Sequence, residues 1–341
     1  MTDRTEYCSR GNGCAHTLAR RIAAAIALAG GLLFAAQIVH AQPFPRAPIY
    51  LIIPFPPGGA TDLIGRHLGT EMSKRLGQPV VVENRAGAAG VVGMKAATLA
   101  RPDGYTLALG SPNSIAIDPA QEQIPYNPTT DLVAVAPVVS IYFVVFANPG
   151  FPPNNIRELI DYAKRNPGKL TFASSGTGGS PHLASELLKS RGGFDMLHIP
   201  YKGAVPAITD VVGGQVNLMT GDASTALPFV QSGRLKALAV TGAERMELLP
   251  NVPTVAESGL PGFEAGNWFG LFAPAKIAPE IVAKLSEAIE ASVQSPDFKK
   301  GMTPLGGRAL SMSRAEFVRF IAAETTKRSD LIKSNKIDLS K

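Results

Sequence analysis

Short apolar runs alternate with amphipathic segments along the whole chain. Residues 49–54 form an apolar run of the length of a buried strand, and residues 61–76 repeat apolar side chains at helical spacing. The next strand, helix and strand are predicted at residues 80–83, 91–100 and 105–109. This β-α-β-α order predicts an α/β fold with a mostly parallel sheet and helices on both of its faces.

The same order returns after Asp131. A long apolar stretch at 135–146 is followed by a turn-rich segment at 148–153. The helices predicted beyond it lie at residues 155–165, 183–189, 204–212, 279–295 and 314–335. The strands predicted beyond it lie at residues 170–173, 196–199, 216–219, 235–240 and 268–273.

Two such series in about 300 residues predict two lobes. The run at 135–146 would carry the chain out of the first lobe, and the run near Phe269 would bring it back. Lobe 1 is then expected to comprise residues 42–143 and 263–341, and lobe 2 residues 144–262. Two strand-like crossovers form a hinge about a cleft. Two independent sequential domains are the alternative, but the sequence has no flexible linker.

The first 41 residues have the features of an export signal. Arg4, Arg10, Arg20 and Arg21 precede an apolar, Ala-rich run at 22–39, and Val39-His40-Ala41 predicts cleavage after Ala41. A retained membrane anchor is the alternative, since the run is just long enough to span a bilayer. Removal would place the mature protein free in the periplasm.

The mature chain would contain no cysteine, because Cys8 and Cys14 both fall inside the signal. This excludes disulfides, thiolate metal sites and a cysteine nucleophile. The signal holds four arginines and two acidic residues, so its removal lowers the formal net charge from +6 to +4. A balance this mild argues against a nucleic-acid footprint and modestly favours an anionic ligand.

One pattern occurs once in each predicted lobe. A strand at 51–55 runs into the turn PPGGATD at 56–62, and a strand at 170–173 runs into SSGTGGSPH at 174–182. Each is a strand, a glycine turn and a helix start, with Thr61 and Ser180 as the predicted caps and Pro181 in the first turn. Such a turn exposes backbone N–H groups and the positive end of a helix beyond the strand ends.

Two such turns facing each other would hold a carboxylate at each end. Glycine lets an anion approach the N–H groups and provides for positive φ. A few hydrogen bonds to charged groups, each about 1.5–3 kcal/mol, would then suffice for micromolar binding. The alternative is that both are ordinary βα turns without a ligand.

The chain also resembles a known family. The segments that carry the resemblance are PFPPGGATD at 54–62, GQPVVVENRAGAAG at 77–90, PDGYTL at 102–107, PYNP at 125–128, HIPYKG at 198–203, LPNVPT at 249–254 and GLPGFE at 259–264. They are similar to the substrate-binding component of tripartite tricarboxylate transporters, also called the Bug family. The resemblance covers nearly all of the mature chain.

The resemblance implies a periplasmic binding protein, type II-like, with two α/β lobes, two crossovers and a carboxylate in the cleft. It implies that the ligand is a di- or tricarboxylate, an acidic amino acid or an aromatic acid, delivered to integral membrane transporter subunits. The ligand-binding residues it implies are Pro57, Gly58, Gly59, Thr61, Asp62, Ser174, Ser175, Gly176, Thr177, Gly178, Gly179, His182, Tyr201, Gly203 and Asp222. The segment around Asp222 departs most from the family pattern.

Several of these side chains have a second interpretation. Asp62 would be only a stabilising acid at a helix start, or would act through a water or on a ligand amino or hydroxyl group. His182 either contacts the ligand or is packed, and Lys202 either pairs with a ligand charge or is solvated. Trp268 is predicted to be core rather than cleft lining.

Two other functions stay open at this stage. An enzyme is disfavoured, because the sequence has no nucleophile elbow, metal-ligand cluster or phosphate loop ending in Gly-Lys-Ser/Thr. A co-receptor that docks on a sensor kinase is not separable from a transport receptor by sequence. We expect no cofactor, no metal, no nucleic-acid partner and a monomer.

Overall fold

The structure is a computed structural model that describes residues 44–116 and 123–339. The predicted export signal and its cleavage after Ala41 lie outside the described residues. The elements below belong to one compact unit that begins at Ala47. No helix in the described ranges combines the length and the apolar content needed to cross a membrane.

The described residues form ten strands and ten α-helices that alternate as the sequence predicts. The strands are β1 (Ile49–Ile53), β2 (Val80–Asn84), β3 (Thr106–Gly110), β4 (Leu132–Ala147), β5 (Thr171–Ser174), β6 (Leu197–Pro200), β7 (Leu218–Asp222), β8 (Lys236–Val240), β9 (Gly266–Pro274) and β10 (Gly307–Ala309). The helices are α1 (Ala60–Leu76), α2 (Val91–Thr98), α3 (Pro112–Ile115), α4 (Ile156–Arg165), α5 (Ser180–Gly192), α6 (Ala204–Val212), α7 (Ala223–Gln231), α8 (Pro279–Val293), α9 (Pro296–Met302) and α10 (Arg314–Ser334).

Strand β4 belongs to two sheets. In the first sheet the order is β2-β1-β3-β9-β4, with β10 on the other side of β4. In the second sheet the order is β6-β5-β7-β4, with β8 also paired to β4. The change occurs between Tyr142, which pairs with Gly266 of β9, and Phe143, which pairs with Asp222 of β7. This is the first of the two strand-like crossovers predicted from the sequence. The second is the entry into β9, where the Ala265 N–H still donates to Thr241 O beside the second sheet and the next residue, Gly266, already pairs with Tyr142 in the first.

The strand directions make the carboxyl ends of the parallel strands in one sheet face those in the other. Strands β1 and β3 run parallel to β4 and so point toward the second sheet, whereas β7 runs antiparallel to β4 and points back. Gly110 of β3 pairs with Gly270 of β9, which pairs in turn with Pro137 of β4. On the other side of the gap, Asp222 of β7 pairs with Phe143 of β4. At about 3.3 Å per residue, the two rows of strand ends are about 20 Å apart along β4.

Apolar side chains fill both faces of the second sheet. Phe143, Phe172 and Leu218 pack beneath α4 and α5, and alternate residues such as Val144 and Met219 pack beneath α6 and α7. This alternation follows from the two-residue period of a strand, and it fixes which side chains at the strand ends point toward α5.

The predicted core position of Trp268 is confirmed, because only 2% of it is exposed and its ring meets Phe317 edge-on at 5.7 Å between centroids. Three helices, α3, α7 and α9, and the short strand β10 were not predicted from the sequence. The prediction also ended β7 at Met219, three residues before the strand ends at Asp222.

Candidate functional site

The two glycine turns share one backbone design. We call the segments 56–62 and 176–182 the first and second corners. Gly58 in the first corner has φ +86°, and Gly178 in the second has φ +76°. Gly59 and Gly179 follow in extended conformation as the N-caps of α1 and α5. The repeated pattern predicted from the sequence is therefore a repeated conformation.

In each corner two glycines stand side by side, and the side chain four residues after the first of that pair accepts its N–H. In the first corner the Gly58 N–H donates to Oδ2 of Asp62 at 2.9 Å. In the second corner the Gly178 N–H donates to Nδ1 of His182, also at 2.9 Å. A carboxylate and an imidazole thus perform the same local task, because Oδ2 and Nδ1 lie the same number of bonds from the helix backbone.

The helix caps differ from the prediction. Thr61 and Ser180 were expected to cap α1 and α5, but the caps are Gly59 and Gly179, and neither helix has a side-chain cap hydrogen bond. Among the described residues, no acceptor meets the N–H groups of Gly59, Ala60 and Thr61, or those of Gly179 and Ser180. These donors sit at the positive ends of two helix dipoles, so both corners offer an anion several oriented N–H groups.

The fold leaves space for a side chain at both N-cap glycines. A Cβ added to Gly59 would have only the carbonyl oxygen of Pro56 within 4 Å, at 3.9 Å. A Cβ added to Gly179 would lie 3.8 Å from Gly176 O and from Pro181 Cδ. Both are ordinary contacts, and φ is −82° at Gly59 and −66° at Gly179. Backbone geometry therefore does not require glycine at either N-cap.

Asp62 lies beneath the first corner rather than on its surface. Only 3% of it is exposed, and it accepts from Arg66 Nε at 2.9 Å and from Asn84 Nδ2 at 2.9 Å as well as from Gly58. The hydrogen bond from Arg66 is the main cause that lowers the pKa of Asp62 to about 2. These contacts give Asp62 a positioning role in the corner; a direct contact with the ligand stays a prediction.

His182 lies beneath the second corner in a stack of three rings. Its ring is 3.9 Å from that of His198 and 5.9 Å from that of Phe172, between centroids, and only 2% of the residue is exposed. Burial, aided by the charges of His198, Lys189 and Arg328, lowers the pKa of His182 to about 3. The residue is therefore neutral at pH 7, with Nδ1 free to accept from Gly178.

His198 completes this stack and holds the end of β5. Its Nε2 lies 2.6 Å from Oγ of Ser174, and Ser174 Oγ also contacts the carbonyl of Gly176 at 3.0 Å. Burial lowers the pKa of His198 to about 4. Between about pH 6.5 and pH 4, His198 is protonated in the unfolded chain but neutral in the folded chain. The free energy of unfolding therefore decreases as the pH falls through that range.

His198→Gln is expected to reduce the acid sensitivity of the fold. When the pH falls from 7.5 to 5.5, His198 gains a proton in the unfolded chain but not in the folded chain, which lowers the free energy of unfolding by about 1 kcal/mol. Glutamine does not titrate, so the variant does not have this loss. Burial raises the pKa of Glu186 and Asp222, which acts in the opposite direction in both proteins. Urea unfolding of the two proteins at both pH values measures the difference, and an equal loss in both would contradict this assignment.

The remaining predicted residues lie around the second corner or on the surface of the first. Pro57 and Ser175 are exposed, and Thr177 is half-buried. The Tyr201 N–H donates to Ser174 O at 3.0 Å, which ties β6 to the end of β5. The Tyr201 hydroxyl donates to Asp210 at 2.6 Å, and burial is the main cause that raises the pKa of Tyr201 to about 12. Gly203, with φ +114°, is the N-cap of α6.

Asp222 ends β7 on the side of the gap between the two corners. It is the N-cap residue of α7, but its side chain makes no cap hydrogen bond. Burial raises the pKa of its carboxyl group. Asp222 is partly exposed, and its backbone carbonyl accepts from the Thr225 hydroxyl at 2.8 Å. Of the two predicted acids, it is the one whose carboxylate oxygens have no hydrogen bond or ion pair among the described residues.

Asn113 makes a contact between a helix that follows the first sheet and a helix that packs on the second, and this contact was not predicted from the sequence. Asn113 lies on α3, directly after β3, and its Oδ1 is 3.4 Å from both Ser180 Oγ of α5 and Nη1 of Arg328 on α10. A small cavity of about 60 Å³ lies beside these residues. The available signal was the run SPNS at 111–114, which marks a helix start at the end of a predicted strand. In the structure the Ser111 N–H donates to Ser114 Oγ at 3.2 Å.

Proteins of known structure share this architecture. A Rhodopseudomonas palustris protein solved with adipate is 29% identical, with a TM-score of 0.73 over 86% of this chain and 99% of that one. MatC from Rhodopseudomonas palustris, solved with bound malate, is 31% identical, with a TM-score of 0.68 over 85% of this chain and 100% of that one. The fold and the paired corners define a two-lobed solute-binding protein of the periplasmic type.

The sequence comparisons give the family. The model of the tripartite tricarboxylate transporter family receptor matches residues 64–337. Protein BugT of Bordetella pertussis is 38% identical over 289 residues, which are 84% of this chain and 88% of that protein. The chain therefore belongs to the tripartite tricarboxylate transporter receptor family, the family of the Bug proteins, and is a solute-binding receptor.

Proposed function

We propose that this receptor captures a small carboxylate between its two corners and delivers it to the membrane subunits of a tripartite tricarboxylate-type transporter. One observation carries the proposal: two matched corners, on strand ends that face each other, each present N–H donors that no described residue accepts. Ionised carboxylates are the ligands that such donors favour.

The electrostatics of the second corner support an anion. Burial is the main cause of the lowered pKa of His182, and the positive charges of Lys189 and Arg328 lower it further. The same two charges favour an anion at this corner. Each hydrogen bond to a charged group contributes about 1.5–3 kcal/mol. Four such bonds, less the cost of ordering the ligand, are enough for micromolar affinity, which corresponds to about −8 kcal/mol.

Two relatives with solved structures are consistent with this ligand class. One was solved with adipate and the other with bound malate, and both are at least 29% identical to this chain. We extend to this receptor only what the two ligands share, which is a small acid.

The rest of the proposal extends the predictions made from the sequence. The receptor binds its ligand without converting it, works as a monomer, and is exported to the periplasm by a signal that is cleaved after Ala41. We propose the lobe boundaries predicted above, 42–143 with 263–341 and 144–262. The switch of β4 between two sheets at Tyr142 and Phe143 supports them.

A thermal-shift screen against small molecules tests the function. Mono- or dicarboxylates are expected to raise the melting temperature, because a ligand at 100 times its Kd adds about 2.7 kcal/mol of stability. Neutral sugars and inorganic cations are expected to have no effect, since neither matches a set of N–H donors. A shift with sugars and none with acids would contradict the carboxylate assignment.

Incubation of the protein with each stabilising acid gives the matching control for catalysis. The acid is expected to be recovered unchanged by proton NMR after hours with micromolar protein. Accumulation of a product, absent with heat-denatured protein, would assign an enzymatic function instead.

A further inference from the structure

Asp222 projects farther into the gap than the second corner's own strand. Ala173 of β5 pairs with Met219 of β7, so the next residue of β5, Ser174, lies beside Thr220 of β7. Asp222 lies two residues beyond that level, which is about 7 Å closer to the first lobe. Its neighbour across the ladder is Phe143, where β4 crosses between the sheets.

The side chain of Asp222 lies on the α5 face of the sheet. Thr220 faces α5, because its Oγ1 lies 2.8 Å from Oγ of Ser185, and alternation places Asp222 on the same face. The second corner and its unsatisfied N–H groups are on that face too. An acid and a set of amide donors, with opposite preferences for charge, therefore border the same space.

Other acids near the two corners have partners, and Asp222 has none in the described ranges. Asp62 is held by Arg66 and Asn84, and Asp210 by Tyr201. Glu186 pairs with Lys189 at 3.1 Å. Taking a carboxylate out of water without a partner costs free energy, and a cationic donor removes that cost.

This arrangement selects among acids. A second carboxylate of the ligand placed against Asp222 would meet a like charge, which disfavours the bound state. An ammonium group there would form a charge-assisted hydrogen bond with Asp222, whose carboxylate has no partner among the described residues. The chain itself brings no such group to Asp222 in the residues described.

We propose that Asp222 is a specificity residue that binds an ammonium group of the ligand, so that this receptor prefers amino-bearing carboxylates over the same acids without the amino group. The inference rests on the proposed function, because it requires the carboxylate to occupy the corners. Beyond the proposed function, the ligand then carries a positive ammonium group as well as its negative carboxylate, and Asp222 is the residue that recognises the ammonium group.

Isothermal titration with matched pairs of acids tests this inference. The pairs are succinate and aspartate, glutarate and glutamate, and butyrate and 4-aminobutyrate. In the wild type, the amino-bearing member of the best-bound pair is expected to bind at least tenfold more tightly. Asp222→Asn keeps the size of the side chain and is expected to abolish that preference. It should lower the affinity for the amino-bearing acid and leave the affinity for the plain acid unchanged.

Asp161→Asn is the matched control. It makes the same chemical change and the same change in net charge at an exposed residue of α4, and it is expected to keep the wild-type preference. The comparison within wild-type protein does not depend on any variant, so the inference stays testable if Asp222→Asn fails to fold.

Each outcome separates the two proposals. Wild-type binding of the plain acids that equals or exceeds binding of their amino partners would overturn the role of Asp222 and leave the carboxylate receptor in place. Retention of the preference in folded Asp222→Asn would do the same. If folded wild-type protein binds none of these acids and none of the carboxylates in the thermal-shift screen, both proposals are overturned.

Discussion

Gly59→Val and Gly179→Val each weaken carboxylate binding at least a hundredfold, an effect that corresponds to the loss of one or two hydrogen bonds to a charged ligand. In the proposed binding mode, a ligand oxygen reaches the first-turn N–H groups by passing over the N-cap glycine. A valine there places two methyl groups in that path, and the donors then stay unpaired.

The fold is expected to tolerate both substitutions. Each N-cap glycine has negative φ, and its added Cβ meets nothing closer than 3.8 Å. The unfolding free energy should therefore change by no more than about 1 kcal/mol. The neighbouring Gly58 and Gly178 are unsuitable for this test because positive φ strains any side chain there, and a Cβ on Gly178 would also lie 2.9 Å from Leu339.

Gly213→Val is the control for this experiment. Gly213 follows the last residue of α6 with φ −74°, at the opposite end of that helix from Gly203, and an added Cβ meets Thr209 O at 3.4 Å. Titration of the stabilising acid should give wild-type affinity. If Gly59→Val and Gly179→Val also retain wild-type affinity, the corners are not the binding site.

His182→Ala lowers the free energy of unfolding by about 3 kcal/mol. The substitution removes a buried ring from between Phe172 and the start of α5, and it leaves the Gly178 N–H without its acceptor. Loss of a buried aromatic ring alone costs about 3–5 kcal/mol, and the polar character of imidazole places this case at the lower end. Urea unfolding at pH 7.5 measures the loss.

His182→Asn separates the hydrogen bond from the packing. Asparagine Oδ1 lies as many bonds from the backbone as Nδ1 of histidine, so it can accept the Gly178 N–H as Asp62 accepts that of Gly58. The asparagine variant is therefore expected to be about 1 kcal/mol more stable than the alanine variant. Equal stability of the two variants would show that the acceptor contributes nothing to the second corner.

Part of the paired corners could be predicted from the sequence. The glycines and the helix starts follow from short-range rules on turns and caps, so both corners were predicted at the right residues. Asp62 and His182 stand four residues after Gly58 and Gly178, a spacing that was visible in the sequence. Their shared role was missed because an acid and an imidazole differ in charge, and only the structure shows that both act as acceptors.

Contacts between residues far apart in the chain could not be predicted from the sequence. The bond between Asn113 and Ser180 joins residues 67 apart in the chain, and the stack of His182 on His198 requires α5 to lie over β6. Neither contact has a local pattern, since each depends on which elements become neighbours.

The sequence by itself determined the alternation of strands and helices, the two crossovers and the two glycine corners. These features depend on hydrophobic period and on backbone preferences that act over a few residues. The tertiary structure alone decided that the strand ends face each other and that Asp62 and His182 lie beneath the corners. It also decided that the Asp222 carboxylate has no partner among the described residues. Strand direction and burial decide these features, because the partners of a side chain are set by packing between segments far apart in the chain.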